Sequence, residues 1–189
     1  MKNTDQLFLA GRRTFLGKSG MLLSGAAVAL LAGSDALAAK GKSGSAENDV
    51  RILNTALASE YQAVAAYQVG AESGLLRKEV LKLASTFQGH HREHAELLAK
   101  TIAKLGGKAV SAQSRYTFPT EGLKKQEDVL RFAAGLEHGA VSAYLGAVPV
   151  FQNRDLSTAA ASILADEAMH WAVLRQAVGD EPVPWAFVS

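Results

Sequence analysis

The chain has no cysteine among its 189 residues. That excludes disulfide staples, thiolate metal sites and cysteine nucleophiles. The fold must rest on its core, and any strong metal ligand must be a carboxylate or an imidazole. Proline is scarce, and two of the four, Pro119 and Pro149, sit where helical patterns stop. There is no G-x-S-x-G elbow and no phosphate-cradling glycine loop, so neither hydrolase nor nucleotide chemistry finds a motif. No strand-like alternation or hairpin turn competes with the helical periods.

The N-terminus carries the one segment that does not read as domain. Gly11-Arg12-Arg13-Thr14-Phe15-Leu16-Gly17-Lys18 precedes an apolar stretch from Met21 to Gly33 and then Ala36-Leu37-Ala38. This is a charged region, a short apolar region and a small-x-small cleavage site. The apolar stretch falls short of the roughly 20 residues a spanning helix needs. The paired arginines followed by Phe-Leu resemble a twin-arginine export signal, so residues 1–38 are expected to be removed. The product would be periplasmic or otherwise exported, with no stable membrane anchor. The signal holds four basic residues (Lys2, Arg12, Arg13, Lys18) and two acidic ones (Asp5, Asp35). Taking these from the chain's 20 basic and 18 acidic residues leaves sixteen of each. The basic pI therefore belongs largely to the signal, and a nucleic-acid partner is not expected.

Residues 39–46 (Ala-Lys-Gly-Lys-Ser-Gly-Ser-Ala) read as a linker, and 47–189 as one domain with an apolar C-terminal tail. Leu53, Leu57, Glu60, Val64 and Tyr67 follow spacings of three and four, which predicts a helix over about 47–72. A second spans about 76–105, with Val80, Leu83, Phe87, His91, His94, Leu98 and Ile102 on its inner face. Residues 106–125 show no period. A loop of that length can cross a bundle lengthwise, since twenty extended residues reach about 66 Å and a 28-residue helix measures about 42 Å. A third helix covers about 126–148, with Leu130, Ala134, Glu137, Val141 and Tyr144 inward. A fourth covers about 155–178, with Ala160, Ile163, Glu167, His170, Leu174 and Ala177 inward. Two αα-hairpins joined by one long crossover make an all-α, ferritin-like four-helix bundle. The tail 181–189 is expected to pack over the bundle; an interface role, including one in a homo-oligomer, stays open.

The chemistry lies in a pattern stated twice. Glu60 precedes Tyr67 by seven residues, and Glu137 precedes Tyr144 by the same seven. Further on, His91 and His94 in the first copy correspond to Glu167 and His170 in the second. Residues three apart share a helix face, so each half offers one glutamate and one ligand pair to the bundle centre. An ionisable side chain on an apolar stripe is costly unless paired or coordinated, and here six stand at matched places. The competing pair His90 and His94, with Glu93 and Glu96 nearby, would turn His91 outward and break the match between halves. Tyr67, Tyr144 and Trp171 are expected to be packing residues, and His138 to lie beside the inward face. Arg92, Glu93 and Glu96 are expected to form a solvated face.

With these residues in hand, the sequence resembles the ferritin-like superfamily, in particular exported bacterial ferritin-like domain proteins of unassigned function. The resemblance covers about residues 48–188. It rests on Glu60, on Gly135-Leu136-Glu137-His138-Gly139-Ala140-Val141-Ser142-Ala143-Tyr144, and on Asp166-Glu167-Ala168-Met169-His170-Trp171. It implies a metal site of Glu60, His91, His94, Glu137, Glu167 and His170, with His91 standing where the family pattern has a glutamate. Iron or manganese is implied first, while zinc and copper also accept mixed nitrogen and oxygen ligands. Two functions follow. One is an exported metal-binding protein, di-metal redox or metal-handling. The other is a metal-free structural or stress-associated interaction protein that keeps Glu and His as an internal network. Cage-forming iron storage is not expected, since no fifth cage helix and no acidic surface runs are apparent.

Overall fold

The computed structural model of the protein describes residues 44–188; the expected export signal over 1–38 and most of the expected linker over 39–46 lie outside the described residues. Four long helices make the fold: α1 (Gly44–Glu72), α2 (Lys78–Lys104), α3 (Gln126–Ala147) and α4 (Arg154–Ala177). Their bounds follow the periodicity closely, except that α1 begins at Gly44, within the segment read as linker. Short 3₁₀ turns occupy Thr120–Gly122 and Val148–Val150. The second contains Pro149, which cannot continue α3.

The ends of the helices have identifiable causes. The α4 N-cap is Asn153, whose side chain accepts from the Asp155 amide at 2.9 Å. Asp128 accepts from the amides of Lys124 and Lys125 and so starts α3. At the end of α2, Gly106 has φ +76, its amide donates to the Ala103 carbonyl, and the Gly107 amide donates to the Ile102 carbonyl. This is a Schellman stop. Gly107 has a second reason to be glycine, since a Cβ there would lie 2.6 Å from Cγ1 of Val50 on α1.

Helix α1 packs chiefly on α2, and α3 on α4. The loop between the hairpins does run lengthwise. It leaves α2 beside the start of α1, where Asn54 bonds Lys108 and Val110. It enters α3 beside the start of α2, where the Arg77 amide donates to Gln126. The opposite connection is tied by Asp49. This buried carboxylate on α1 accepts from the amides of Gln152 and Asn153 at 3.0 and 3.1 Å. Asp49→Ala leaves both amides without that acceptor, and is expected to lower unfolding stability by about 1–3 kcal/mol in a urea titration. An unchanged midpoint would show that the turn does not depend on Asp49.

The apolar core comes in two parts. One surrounds Leu57, Leu98, Ile102 and Ile163, and the other surrounds Tyr67, Phe87, Leu130 and Leu174. Between them lies a buried polar layer of Glu60, His91, Glu137, Glu167 and His170. The inward stripes hold as expected, with one correction. Ala177 is exposed rather than inward, because at the end of α4 the core is closed by Leu174 and Val178 instead. Among the described residues no helix is long and apolar enough to cross a membrane.

Candidate metal centre

The polar layer gathers all six sequence-derived residues. His91 is its hub, 1 % exposed. Its Nδ1 lies 2.8 Å from Glu60 and its Nε2 lies 3.3 Å from Glu137, so the two ring nitrogens face glutamates of opposite hairpins. Glu167 Oε1 lies 3.1 Å from His94 Nδ1 and 3.5 Å from His91 Nδ1. His170 Nδ1 lies 3.5 Å from Glu167 and 3.6 Å from Glu137. Two overlapping sets of four result, Glu60–His91–His94–Glu167 and His91–Glu137–Glu167–His170. In each set the ligand-type atoms lie within 4.8 Å of one another, and His91 and Glu167 belong to both.

The seven-residue spacing from glutamate to tyrosine has a structural reason. Seven residues are close to two helical turns, so each tyrosine shares the inward face with its own glutamate. Each hydroxyl donates across the bundle, however, to the glutamate of the other hairpin. Tyr144 donates to Glu60 at 2.5 Å, and Tyr67 donates to Glu137. Burial pushes both phenols well above their ordinary pKa, reinforced by the facing carboxylates, so both remain donors. Expected as packing residues, Tyr67 and Tyr144 also orient two of the three carboxylates.

The electrostatics follow from three imidazoles facing three carboxylates in a desolvated layer. Burial alone would lower the histidines. Hydrogen bonds and charge from the glutamates override it and carry His91 up to about 11 and His94 and His170 up to about 9. Burial would raise Glu60 and Glu137, yet the facing histidines hold both below the usual carboxylate range. Glu167 differs. Burial dominates and the neighbouring Glu137 adds to it, raising Glu167 to about 6 despite His170 and His94.

The layer is only partly satisfied. Both oxygens of Glu167, Oε2 of Glu137 and Nδ1 of His94 and His170 are buried without a hydrogen-bond partner. His94 Nδ1 and His170 Nδ1 lie at ion-pair distance from carboxylates but outside hydrogen-bonding geometry. Buried polar atoms of this kind are rare and cost about 1–3 kcal/mol each, more when charged. All five belong to the six residues, and a cation at the centre would satisfy them together. The donor set therefore fits a divalent metal with mixed oxygen and nitrogen preference.

Two neighbours were missed or misjudged from sequence. Asp166 lies against the outer nitrogens, 3.4 Å from His94 Nε2 and 3.2 Å from His170 Nε2. A carboxylate there favours the proton on an outer nitrogen, so that once a metal displaces the inner proton the Nδ1 lone pair would face the centre. Its side chain is 22 % exposed, so burial pattern gave no cue. The only sequence signal was its place beside Glu167. His90 is not an alternative to His91. It sits at the rim, bonded to Asp166 and His170. Glu93, Glu96 and Arg92 are exposed, as expected. His138 stacks on buried Trp171 at 4.6 Å between ring centroids, and tail residue Trp185 stacks on Trp171 at 5.9 Å. The tail thus touches the α3–α4 hairpin through Trp185, which itself stays more than half exposed, as do Val183 and Phe187.

One further opening reaches the layer. A cavity of about 40 Å³ between α1 and α3 ends on Glu60, His91, Glu137 and Tyr144. Its other walls include Ile52, Ala56, Ala63, Ala140 and Ala147, so it is mostly apolar and narrow.

A family model described as ferritin-like domain matches residues 48–180. Among solved structures, the chain is similar to a conserved hypothetical protein from Mycobacterium tuberculosis. The identity is 24 %, the match covers 77 % of this chain and 99 % of that one, and the TM-score is 0.65. It is also similar to a ferritin-like, diiron-carboxylate protein from Bacillus anthracis. There the identity is 22 %, the coverage 71 % and 97 %, and the TM-score 0.62. At these identities the likeness speaks for the fold. No curated protein matches the chain.

Proposed function

This chain belongs to the ferritin-like domain family, and we propose that it is an exported metal-binding protein whose bundle centre holds one or two divalent cations of the iron–manganese type. The observation that carries the reading is the set of five buried, unpartnered ligand-type atoms in the six-residue layer. The diiron-carboxylate description of the Bacillus anthracis protein with the same fold is in keeping with it. Glu60, His91, His94 and Glu167 would hold one position, and His91, Glu137, Glu167 and His170 the other. A bound iron or manganese would supply a redox couple and open positions for oxygen or peroxide.

The chain's own residues do the rest. Glu60, Glu137 and Glu167 provide the negative charge that draws a cation out of water. Tyr67 and Tyr144 fix the first two by hydrogen bonds, and Asp166 orients two imidazoles. The two apolar clusters keep bulk water from both ends of the layer. The narrow cavity between α1 and α3 suits a small uncharged oxidant better than an ion.

A second reading has its own support. Three imidazoles balance three carboxylates, and His91 bonds Glu60 within ordinary distance. A metal-free scaffold can therefore be neutral at its centre, although such a network contributes little net stability.

Proton release separates the two. In the metal-free protein the histidine pKa values are raised, so their contribution to stability is fully present below about pH 6.5. It is lost as pH rises through about 9 for His94 and His170 and about 11 for His91. A metal must displace those protons, so its affinity rises with pH over the same range. Titration of chelator-stripped protein with Mn²⁺ or Fe²⁺ at pH 7.5, in two buffers of different ionisation enthalpy, is expected to show release of roughly two to three protons per chain at saturation. No binding heat, together with a melting temperature indifferent to chelator, would sink the metal reading in favour of the scaffold.

A further inference from the structure

The rim of the layer contains a second set of donors. His90 Nδ1, Asp166 Oδ2 and His170 Nε2 form a triangle with sides of 2.8, 3.1 and 3.2 Å. Hydrogen bonding accounts for only part of it. If both ring nitrogens carry protons toward Asp166, the two N–H groups collide at 2.8 Å. If the His90 nitrogen alone carries one, it can donate to His170 or to Asp166, and the 3.2 Å edge between His170 Nε2 and Asp166 Oδ2 holds no proton. A cation removes the conflict, because all three atoms then act as acceptors. The spacing also suits one. Ligands about 2.1 Å from an octahedral ion stand about 3.0 Å apart along an edge, near the sides observed. Two imidazoles and one carboxylate on one octahedral face, with the opposite face open, is an arrangement that first-row divalent ions accept.

The position of the triangle suggests what it does. Exposure falls stepwise along it, from 40 % for the His90 side chain to 22 % for Asp166 and 2 % for His170. His170 closes the inner end, and Phe87, stacked on it at 4.0 Å, steadies the ring. Its Nε2 faces the rim triangle and its Nδ1 faces Glu137 and Glu167. A neutral imidazole has a single lone pair, so His170 can serve the rim or the centre but not both at once. Transfer of an ion from the rim to the centre would need the His170 proton to pass from Nδ1 to Nε2, which would turn the Nδ1 lone pair to the centre.

We propose that His90, Asp166 and the Nε2 of His170 form an outer divalent-cation site through which the inner layer is loaded. The existence of the outer site stands on its own geometry. The loading role rests on the inner metal reading of the preceding subsection.

The test uses the full chain, stripped of metal, with Co²⁺ as a probe visible by its absorption. Mixed rapidly with Co²⁺, the His90→Ala protein is expected to load at least tenfold more slowly than wild type, with the same final Co²⁺ per chain. Glu167→Gln, which disables the inner layer, is expected to retain one weakly held Co²⁺, and His90→Ala added to it is expected to remove that ion. Equal loading rates in wild type and His90→Ala would overturn the loading role. A Co²⁺ ion in the Glu167→Gln protein that ignores His90→Ala, or none there at all, would overturn the outer site. Wild-type uptake that ignores Glu167→Gln but is lost with His90→Ala would overturn the inner reading while the outer site stands.

Discussion

Glu167→Gln is expected to melt higher than the wild type when both proteins are metal-free, and to gain little when metal is added. Glu167 is fully buried, and neither of its oxygens accepts a hydrogen bond. Burial, then the nearby Glu137, raises its pKa to about 6 against only partial relief from His170 and His94. A carboxyl raised in the folded state favours folding most below about pH 4.5 and loses that contribution as pH rises through about 6. At pH 8 the ionised group therefore weighs on the fold by roughly 2 kcal/mol. Glutamine keeps the shape and removes the charge, so the metal-free melting temperature at pH 8 should rise by roughly 5 °C. Metal reverses the order. Glu167 is one of two residues common to both sets of four, and an amide is a poor substitute for a shared carboxylate. Wild type at a hundredfold excess over its dissociation constant should gain about 2.7 kcal/mol, and the variant close to none. Thermal melts with EDTA and with Mn²⁺ check both halves. A variant less stable than wild type in EDTA, or one that keeps the Mn²⁺ gain, contradicts the role given to Glu167.

A residue that burdens the empty fold and pays back only with metal is visible in sequence as a violated rule. Glu60, Glu137 and Glu167 occupy stripe positions where leucine would serve packing better, and that violation is what made the bundle centre readable. Periodicity was enough because the six residues lie on inward faces of regular helices, where spacing fixes direction. The rim was not readable for the same reason. His90 and Asp166 sit at the edges of their stripes, and their meeting depends on how α2 and α4 pack together, which no local period encodes. Asp49 escaped notice because its partners are backbone amides about a hundred residues away. The tyrosines were legible as positions but not as partners. Their spacing pointed to the glutamate on the same helix, while the hydroxyls reach the opposite hairpin.

The same repeat makes His91→Glu the most informative exchange. It would give both halves the Glu-x-x-His pattern and change three carboxylates and three imidazoles into four and two. Without metal this should be severe. Glu60 loses the ring that bonds it at 2.8 Å, and Glu137 loses the nitrogen 3.3 Å away. A fourth carboxylate joins a layer whose existing members already share too few donors. Removing one partner of a buried ionic network costs about 3–5 kcal/mol, which predicts a fall of roughly 10 °C in the EDTA melt. With metal the extra negative charge becomes an advantage, since ligand charge is a main control on affinity for hard divalent ions. Affinity for Mn²⁺ should rise by about a hundredfold, and the melting temperature in excess Mn²⁺ should return to the wild-type value or pass it. A variant as stable as wild type in EDTA would mean that His91 is not the counter-cation of the two glutamates. One that falls in EDTA and is not rescued by Mn²⁺ would mean that the layer is an ionic network alone. The expected outcome, loss without metal and recovery with it, would identify the departure from the repeat at His91 as the feature that lets this bundle fold before any metal arrives.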